Sequence, residues 1–228
     1  MPEPTPVDQN LTEWAQLSEQ RAFVYAWLST LYAAEVHEHM LASYLAGQAA
    51  PLLDGFSVLG LRTEAQRLQV AITALHDTPN AHLELAADFA QMFLLDKKAG
   101  ALPYASAYGA EQERLYGPTE ERMRTFLANA SLTIQNEFKE PPDHLAIYLA
   151  VMERLVTEQV HTTDVSAAAH DQASFLDDAL LSWLPEFSSR NQTVTPRFDF
   201  YPALAALLLA FVEDDAKYLY EEVRISIL

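Results

Sequence analysis

Cysteine is absent from the 228 residues, which excludes disulfides, thiol catalysis, thiolate zinc sites and cysteine-ligated iron–sulfur clusters. Glycine is scarce, with six in the chain, and neither a glycine-rich phosphate loop nor a serine in a G-x-S-x-G turn occurs. Basic residues are also few: 14 face 32 acidic ones, for a net charge of -18. Such a field repels phosphate backbones and anionic head groups, so nucleic acid is not an expected partner, whereas a cationic segment is attracted. The same acidity serves to keep an aromatic-rich chain soluble, and charge alone favours this second role. The longest apolar run, Phe200 to Val212, lies between Asp199 and Glu213 and falls short of the roughly 20 residues a membrane-spanning helix needs. It reads as a buried core helix, with no stable membrane insertion. The opening Met1-Pro2-Glu3-Pro4-Thr5-Pro6-Val7-Asp8 is acidic and proline-rich, unlike the basic-then-apolar layout of an export signal, and the expected location is the cytoplasm.

What is present is helical periodicity. Apolar residues recur at spacings of three and four, and no stretch alternates with period two, so the expected class is all-α, a bundle of about nine to eleven helices. Val24, Trp27, Leu28 and Leu31 mark a long first helix from near Leu11, ending before His37-Glu38-His39. Thr63 and Gln66 form a candidate capping box for a helix carrying Leu68, Ile72 and Leu75. Pro79 opens a helix that presents Leu85, Phe89, Met92 and Phe93 on one side. From Asp96 to Gly117 the pattern fails, predicting a long connection with one short helix around Gln112 to Leu115; connections of this length inside a domain are often functional. Pro118 starts a helix with Met123, Phe126 and Leu127 inward. Two consecutive prolines suit a helix entrance, so Pro142 is the expected first helical residue, with Asp143 and His144 in the first turn ahead of Leu145, Leu149, Met152 and Val156. A further helix carries Phe175, Leu176, Ala179, Leu180 and Trp183 until Pro185 stops it, and the last runs from about Phe200 to Glu222. The lapse of periodicity before the prolines divides the chain into residues 1–130, a hinge at 131–141 and residues 142–228.

A catalytic constellation is hard to find. His37 and His39 are two apart where a zinc-protease helix needs four, so His37-Glu38-His39 reads as a solvated surface. Glu158 and His161 match the Glu-x-x-His spacing of di-iron bundles, but those need two copies. A metal-dependent enzyme built on Glu140, Asp143, His144, Glu158 and His161 is therefore the runner-up reading, and a generic helical adaptor the third. Around Asp143 and His144 two readings stand level: a capped and paired helix start, or a polar binding centre at an exposed helix mouth. Phe89, Met92 and Phe93 at helical spacing favour core packing. Pro103, Tyr104, Ser106 and Tyr108 are less easily explained that way; a proline–aromatic loop beside an apolar helix suits a peptide groove.

Three segments together resemble the TorD/DmsD/NarJ family of redox-enzyme maturation chaperones: Leu83-Glu84-Leu85-Ala86-Ala87-Asp88-Phe89 with Met92-Phe93, the loop from Leu102 to Tyr108, and Glu140-Pro141-Pro142-Asp143-His144. The last matches the family's E-P-x-D-H signature completely, and the likeness runs from about residue 20 to 212. The loop is closer to the TorD branch than to the DmsD branch, which usually carries tryptophan where Tyr104 stands. The resemblance implies a cytoplasmic, non-enzymatic chaperone for trimethylamine N-oxide reductase, TorA. It would bind the twin-arginine signal peptide and the apoenzyme core, and delay export while the molybdenum cofactor enters the client. By motif, the implied signal-peptide and client surface is Phe89, Met92, Phe93, Pro103, Tyr104, Ser106, Gly117, Glu140, Asp143 and His144, with Asp143 and Glu140 toward the arginines and Phe89, Met92, Phe93 and Tyr104 toward the apolar part. No cofactor of its own is implied; weak guanine-nucleotide binding has been proposed for some relatives, and no phosphate loop supports it here. Family members occur as monomers and as dimers, and a flexible hinge before Glu140 would permit a homodimer with exchanged halves.

Overall fold

The computed structural model describes residues 6–96, 98–108, 117–134 and 138–225, with side chains from residue 9 to residue 224 of these. The described residues form helices α1 (Pro6–Ala33), α2 (Glu38–Leu45), α3 (Ala50–Val58), α4 (Arg62–Thr73), α5 (Ala81–Phe89), α6 (Pro118–Asn129), α7 (Leu145–Glu158), α8 (Val165–Phe175), α9 (Leu184–Asn191) and α10 (Phe200–Ile225). Two of them run on into π-helical turns, α5 through Ala90–Leu94 and α8 through Leu176–Leu181, and a single 3-10 turn spans Ala105–Ala107. The all-helical class is as expected. The short helix expected around Gln112 to Leu115 lies outside the described residues.

Periodicity sets the packing. Along α1, Trp14, Ser18, Arg21, Tyr25, Leu28 and Tyr32 fall at spacings of three and four and are all buried, so one face of the helix lies inward. That face packs along α7, where Leu145, Leu149, Met152 and Val156 are buried, and Ser29 Oγ donates to the carbonyl of Ala146 at 2.8 Å. The run from Phe200 to Val212 is the middle of the bundle. α10 touches α4, α5, α8 and α9, and Phe200, Leu204, Leu207, Leu208 and Val212 are fully enclosed. Each such side chain contributes about 1.5–3 kcal/mol through removal of apolar surface from water.

Several expected helix boundaries move, for local reasons. α1 begins at Pro6 rather than near Leu11, and His37 is the N-cap of α2, leaving His37, Glu38 and His39 exposed. The capping box at Thr63 and Gln66 does not form: α4 starts at Arg62, its N-cap is Leu61, and no side chain caps it. Pro185 does not end a helix but occupies the first turn of α9, where a missing N–H costs nothing. Pro142 likewise lies outside α7, whose N-cap is His144. Among the described residues of 131–141 none is helical, and Ser131 closes α6 with a φ of 55°.

Two buried carboxylates tie distant segments together. Asp215 on α10 accepts from Arg21 Nε at 2.5 Å and Nη2 at 3.0 Å, and from the Tyr25 hydroxyl at 2.7 Å. Trp14 and Tyr218 flank the guanidinium, with ring centroids at 5.9 and 5.5 Å. Burial disfavours the Arg21 charge, but the Asp215 carboxylate more than offsets this, so the Arg21 pKa is raised and the guanidinium keeps its charge. Asp88 on α5 accepts the backbone N–H groups of Arg197 and Phe198 at 2.8 and 2.9 Å, fastening the segment that leads into α10. Burial raises the Asp88 pKa, against the lowering effect of these two donors.

Removing one partner from a buried pair strands the other charge. Asp215→Ala should therefore lower the unfolding free energy by about 3–5 kcal/mol in urea titration. The double variant Arg21→Met with Asp215→Leu should lose less than Asp215→Ala alone, because it buries no unpaired charge.

Candidate functional site

The irregular segment 98–108 is a strap held at both ends. At its start, Ala101 N–H donates to the carbonyl of Met92 at 2.6 Å, in the π turn that continues α5. Arg190 on α9 donates through Nε to the Gly100 carbonyl at 2.9 Å and through Nη2 to the Lys98 carbonyl. Gly100 is required by this approach, since a Cβ there would lie 2.7 Å from the Met92 carbonyl oxygen. At the other end the strap pairs with the entrance of α7. Tyr104 and His144 form an antiparallel bridge in which Ala105 N–H donates to the Asp143 carbonyl at 3.0 Å and Leu145 N–H to the Pro103 carbonyl at 2.8 Å.

The local sequence explains the entrance. Pro141 and Pro142 lack N–H groups and cannot continue a helix from upstream, so the chain turns, closed by His144 N–H donating to the Pro141 carbonyl at 3.1 Å. His144 then has extended backbone angles (φ -73°, ψ 137°), and its Nδ1 accepts from Ala146 N–H at 3.1 Å, so the imidazole caps the helix. An accepting Nδ1 requires the neutral ring with its proton on Nε2. Burial enforces that state by lowering the His144 pKa to about 4. The ring lies edge-to-face between Tyr104 and Phe138, with centroids at 5.1 and 5.4 Å.

Asp143 is fully buried and spends Oδ2 on Ser106 N–H at 3.1 Å. Its Oδ1 and the Ser106 hydroxyl are both buried without a hydrogen-bond partner among the described residues. Above this layer, the Tyr104 hydroxyl donates to Glu140 Oε2 at 2.5 Å, and both side chains are half-buried. Of the two carboxylates expected at the site, Glu140 is thus the one that solvent reaches.

The predicted residues separate into three groups. Pro103, Tyr104, Ser106, Glu140, Asp143 and His144 come together in one cluster. Phe89, Met92 and Phe93 do not join its surface: they are buried in the core, where Phe89 and Phe93 pack edge-to-face on each other and on Tyr201. Their shared helix face lies against α10 and not at the surface of the cluster where the apolar part of a ligand was expected. Gly117 is the N-terminal junction of α6, the helix that packs on the Ala105–Ala107 turn. Phe138, Tyr148 and Arg190 were not anticipated. Phe138, an apolar residue in a polar stretch, carried a weak signal; Arg190 carried none. Tyr148 is buried on α7, and burial, then the Asp143 charge, raise its pKa.

The metal-enzyme alternative loses its geometry here. Glu158 pairs with Arg154 at the far end of α7, about 20 Å along the helix from His144 at 1.5 Å per residue. Among the described residues, no group of three or more His, Asp and Glu could hold a metal ion. No helix among them is long and apolar enough to cross a membrane.

The neutral state of His144 predicts a pH signature. With a folded pKa near 4 and an unfolded value near 6.5, only the unfolded chain takes up this proton between those limits. Stability should be unaffected by His144 above pH 6.5, fall as pH drops toward 4, and level off below, by on the order of 3 kcal/mol in all. His144→Asn keeps a capping oxygen without titrating in this range; the difference in unfolding free energy between wild type and variant, measured at pH 7 and pH 4.5, should shrink or reverse at the lower pH.

The sequence has counterparts among known proteins. The family model described as nitrate reductase delta subunit matches residues 59–189, which include α4 to α8, the strap and the entrance of α7. Among similar curated proteins, "Chaperone protein TorD" of Psychrobacter sp. (strain PRwf-1) is 40% identical over 213 residues, 92% of this chain and 96% of the relative. The protein of the same name from Vibrio cholerae serotype O1 (strain M66-2) is 37% identical over 91% of this chain and 96% of its own length. That of Photobacterium profundum is 33% identical over 93% of this chain and its whole length. The chain therefore belongs to the TorD/NarJ family of redox-enzyme maturation chaperones, a family that works by binding rather than by catalysis.

Proposed function

We propose that this chain matures the molybdenum enzyme trimethylamine N-oxide reductase, TorA, in the cytoplasm. It binds the twin-arginine signal peptide and the immature enzyme core, and delays export until the molybdenum cofactor has been inserted into the client. The observation that carries this reading is the half-exposed pair of Glu140 and Tyr104, hydrogen-bonded at 2.5 Å beside the buried entrance of α7. A carboxylate next to an aromatic ring suits a guanidinium: the carboxylate accepts its fork of N–H donors, and the ring face attracts the cation. Leu102 and Phe138, each partly exposed, offer apolar surface on the strap and on the hinge segment. They take the part first assigned to Phe89, Met92 and Phe93. The net charge of -18 steers a cationic peptide toward the protein and makes the encounter salt-sensitive.

Calorimetric titration with the TorA signal peptide tests this. Glu140→Gln should weaken binding by about tenfold and flatten its salt dependence, in line with loss of one charge-assisted contact. Replacing the paired arginines of the peptide by alanine should weaken wild-type binding at least as much and make Glu140→Gln nearly silent. Equal affinity of wild type and Glu140→Gln for the native peptide would remove Glu140 from the recognition surface.

A further inference from the structure

We propose that Asp143 and His144 are positioning residues: they hold the strap 98–108 in the shape that presents Tyr104, and the client does not reach them. The inference rests on the reading of Tyr104 and Glu140 as the ligand contact, but its structural half stands independently of any client.

Burial comes first. Asp143 is 0% and His144 4% exposed, so an incoming arginine would meet either of them only after the strap had been displaced. The Asp143 carboxylate is already engaged. Its Oδ2 accepts Ser106 N–H, its own carbonyl accepts Ala105 N–H, and the next residue but one, Leu145, donates to Pro103. Three strap residues are thus bound by two residues of the α7 entrance, across 37 positions of sequence in the case of Ser106. The bridge then decides where Tyr104 points. Its backbone is extended (φ -125°, ψ 131°), so its side chain leaves on the opposite face from those of Pro103 and Ala105, which are buried. Residues opposed in such a bridge place their side chains together, and the Tyr104 ring accordingly covers His144 at 5.1 Å while its hydroxyl reaches Glu140. His144, the other member of the bridge, is itself held by capping α7 through Nδ1. With the strap's start held by Arg190 and by the close fit of Gly100 against Met92, removal of the Asp143 anchor frees the end that carries the aromatic contact.

The two roles for Asp143 respond differently to an isosteric loss of charge. Asparagine keeps a carbonyl oxygen that can accept Ser106 N–H as Oδ2 does. A positioning aspartate is therefore rescued by asparagine, and a charge-contacting one is not. The experiment compares wild type, Asp143→Asn and Asp143→Ala as full-length chains. Hydrogen exchange of the strap amides is followed without peptide, and calorimetric titration uses the TorA signal peptide at two salt concentrations. Asp143→Asn should keep strap protection, affinity and salt dependence within about twofold of wild type. Asp143→Ala should speed exchange of the Ala105 and Ser106 amides by about tenfold or more and weaken the peptide by a similar factor, with its salt dependence unchanged. Asn losing as much affinity as Ala while the strap stays protected would overturn the proposal, as would unchanged strap exchange in Asp143→Ala. If Asp143→Ala fails to fold, Asp143→Asn decides by itself: retained affinity supports positioning, and lost affinity with a protected strap refutes it. Should wild type fail to bind the peptide, the client reading falls, and strap exchange alone still decides whether Asp143 is the anchor.

Discussion

A carboxylate taken out of water must find donors, and in an all-helical protein those donors lie on other segments of the chain. Asp215 finds Arg21 and Tyr25 on α1, Asp88 finds the backbone of Arg197 and Phe198 ahead of α10, and Asp143 finds Ser106 in the strap. Apart from the single bridge at Tyr104, the described residues have no strand pairing to connect distant backbone. Apolar packing between helices is cohesive but weakly directional, whereas each of these contacts specifies one partner. The first joins the beginning of the bundle to its end, the second positions the central helix, and the third shapes the surface beside α7. Since a buried unpaired carboxylate is costly, each aspartate also disfavours arrangements in which its donors are elsewhere.

The surface around Tyr104 and Glu140 follows from the third contact. Two prolines prevent a helix from arriving at α7 from upstream, so the chain enters as a turn and an extended residue. The groups on either side of that residue, the Asp143 carbonyl and the Leu145 N–H, lie on the outer edge of the entrance, and the strap pairs with them through Ala105 and Pro103. The cluster therefore has a buried polar floor of Asp143, His144 and Ser106, with Tyr104 and Glu140 above it. A chaperone that holds a client reversibly gains from such an arrangement, because a contact pair fixed in advance loses little freedom on binding.

Parts of this were legible in the sequence and parts were not. The shared face of Phe89, Met92 and Phe93 follows from their spacing, but spacing cannot say whether an apolar face meets the core or a ligand; packing against α10 decides that. Thr63 and Gln66 have the right identities and interval for a capping box, yet α4 begins two residues earlier than that box requires. The pentapeptide marked a helix entrance correctly, but the first helical residue is Leu145 and not Pro142, because Pro142 is held in the turn closed on Pro141 and His144 is the cap.

By itself the sequence determined the helical class, the lapse of helical periodicity after Asp96, the lack of cysteine and of a glycine-rich phosphate-loop motif, and the family motif. These depend on local conformational preference and residue identity, which travel with the chain. Only the tertiary structure decided that Asp143 is an interior anchor while Glu140 remains reachable, and that His144 is a neutral cap. Each of those outcomes depends on which distant segment lies alongside: Ser106 for Asp143, Tyr104 for Glu140, and the enclosing rings of Tyr104 and Phe138 for His144. Burial and hydrogen bonding across such separations are properties of the packed chain, and no pentapeptide carries them alone.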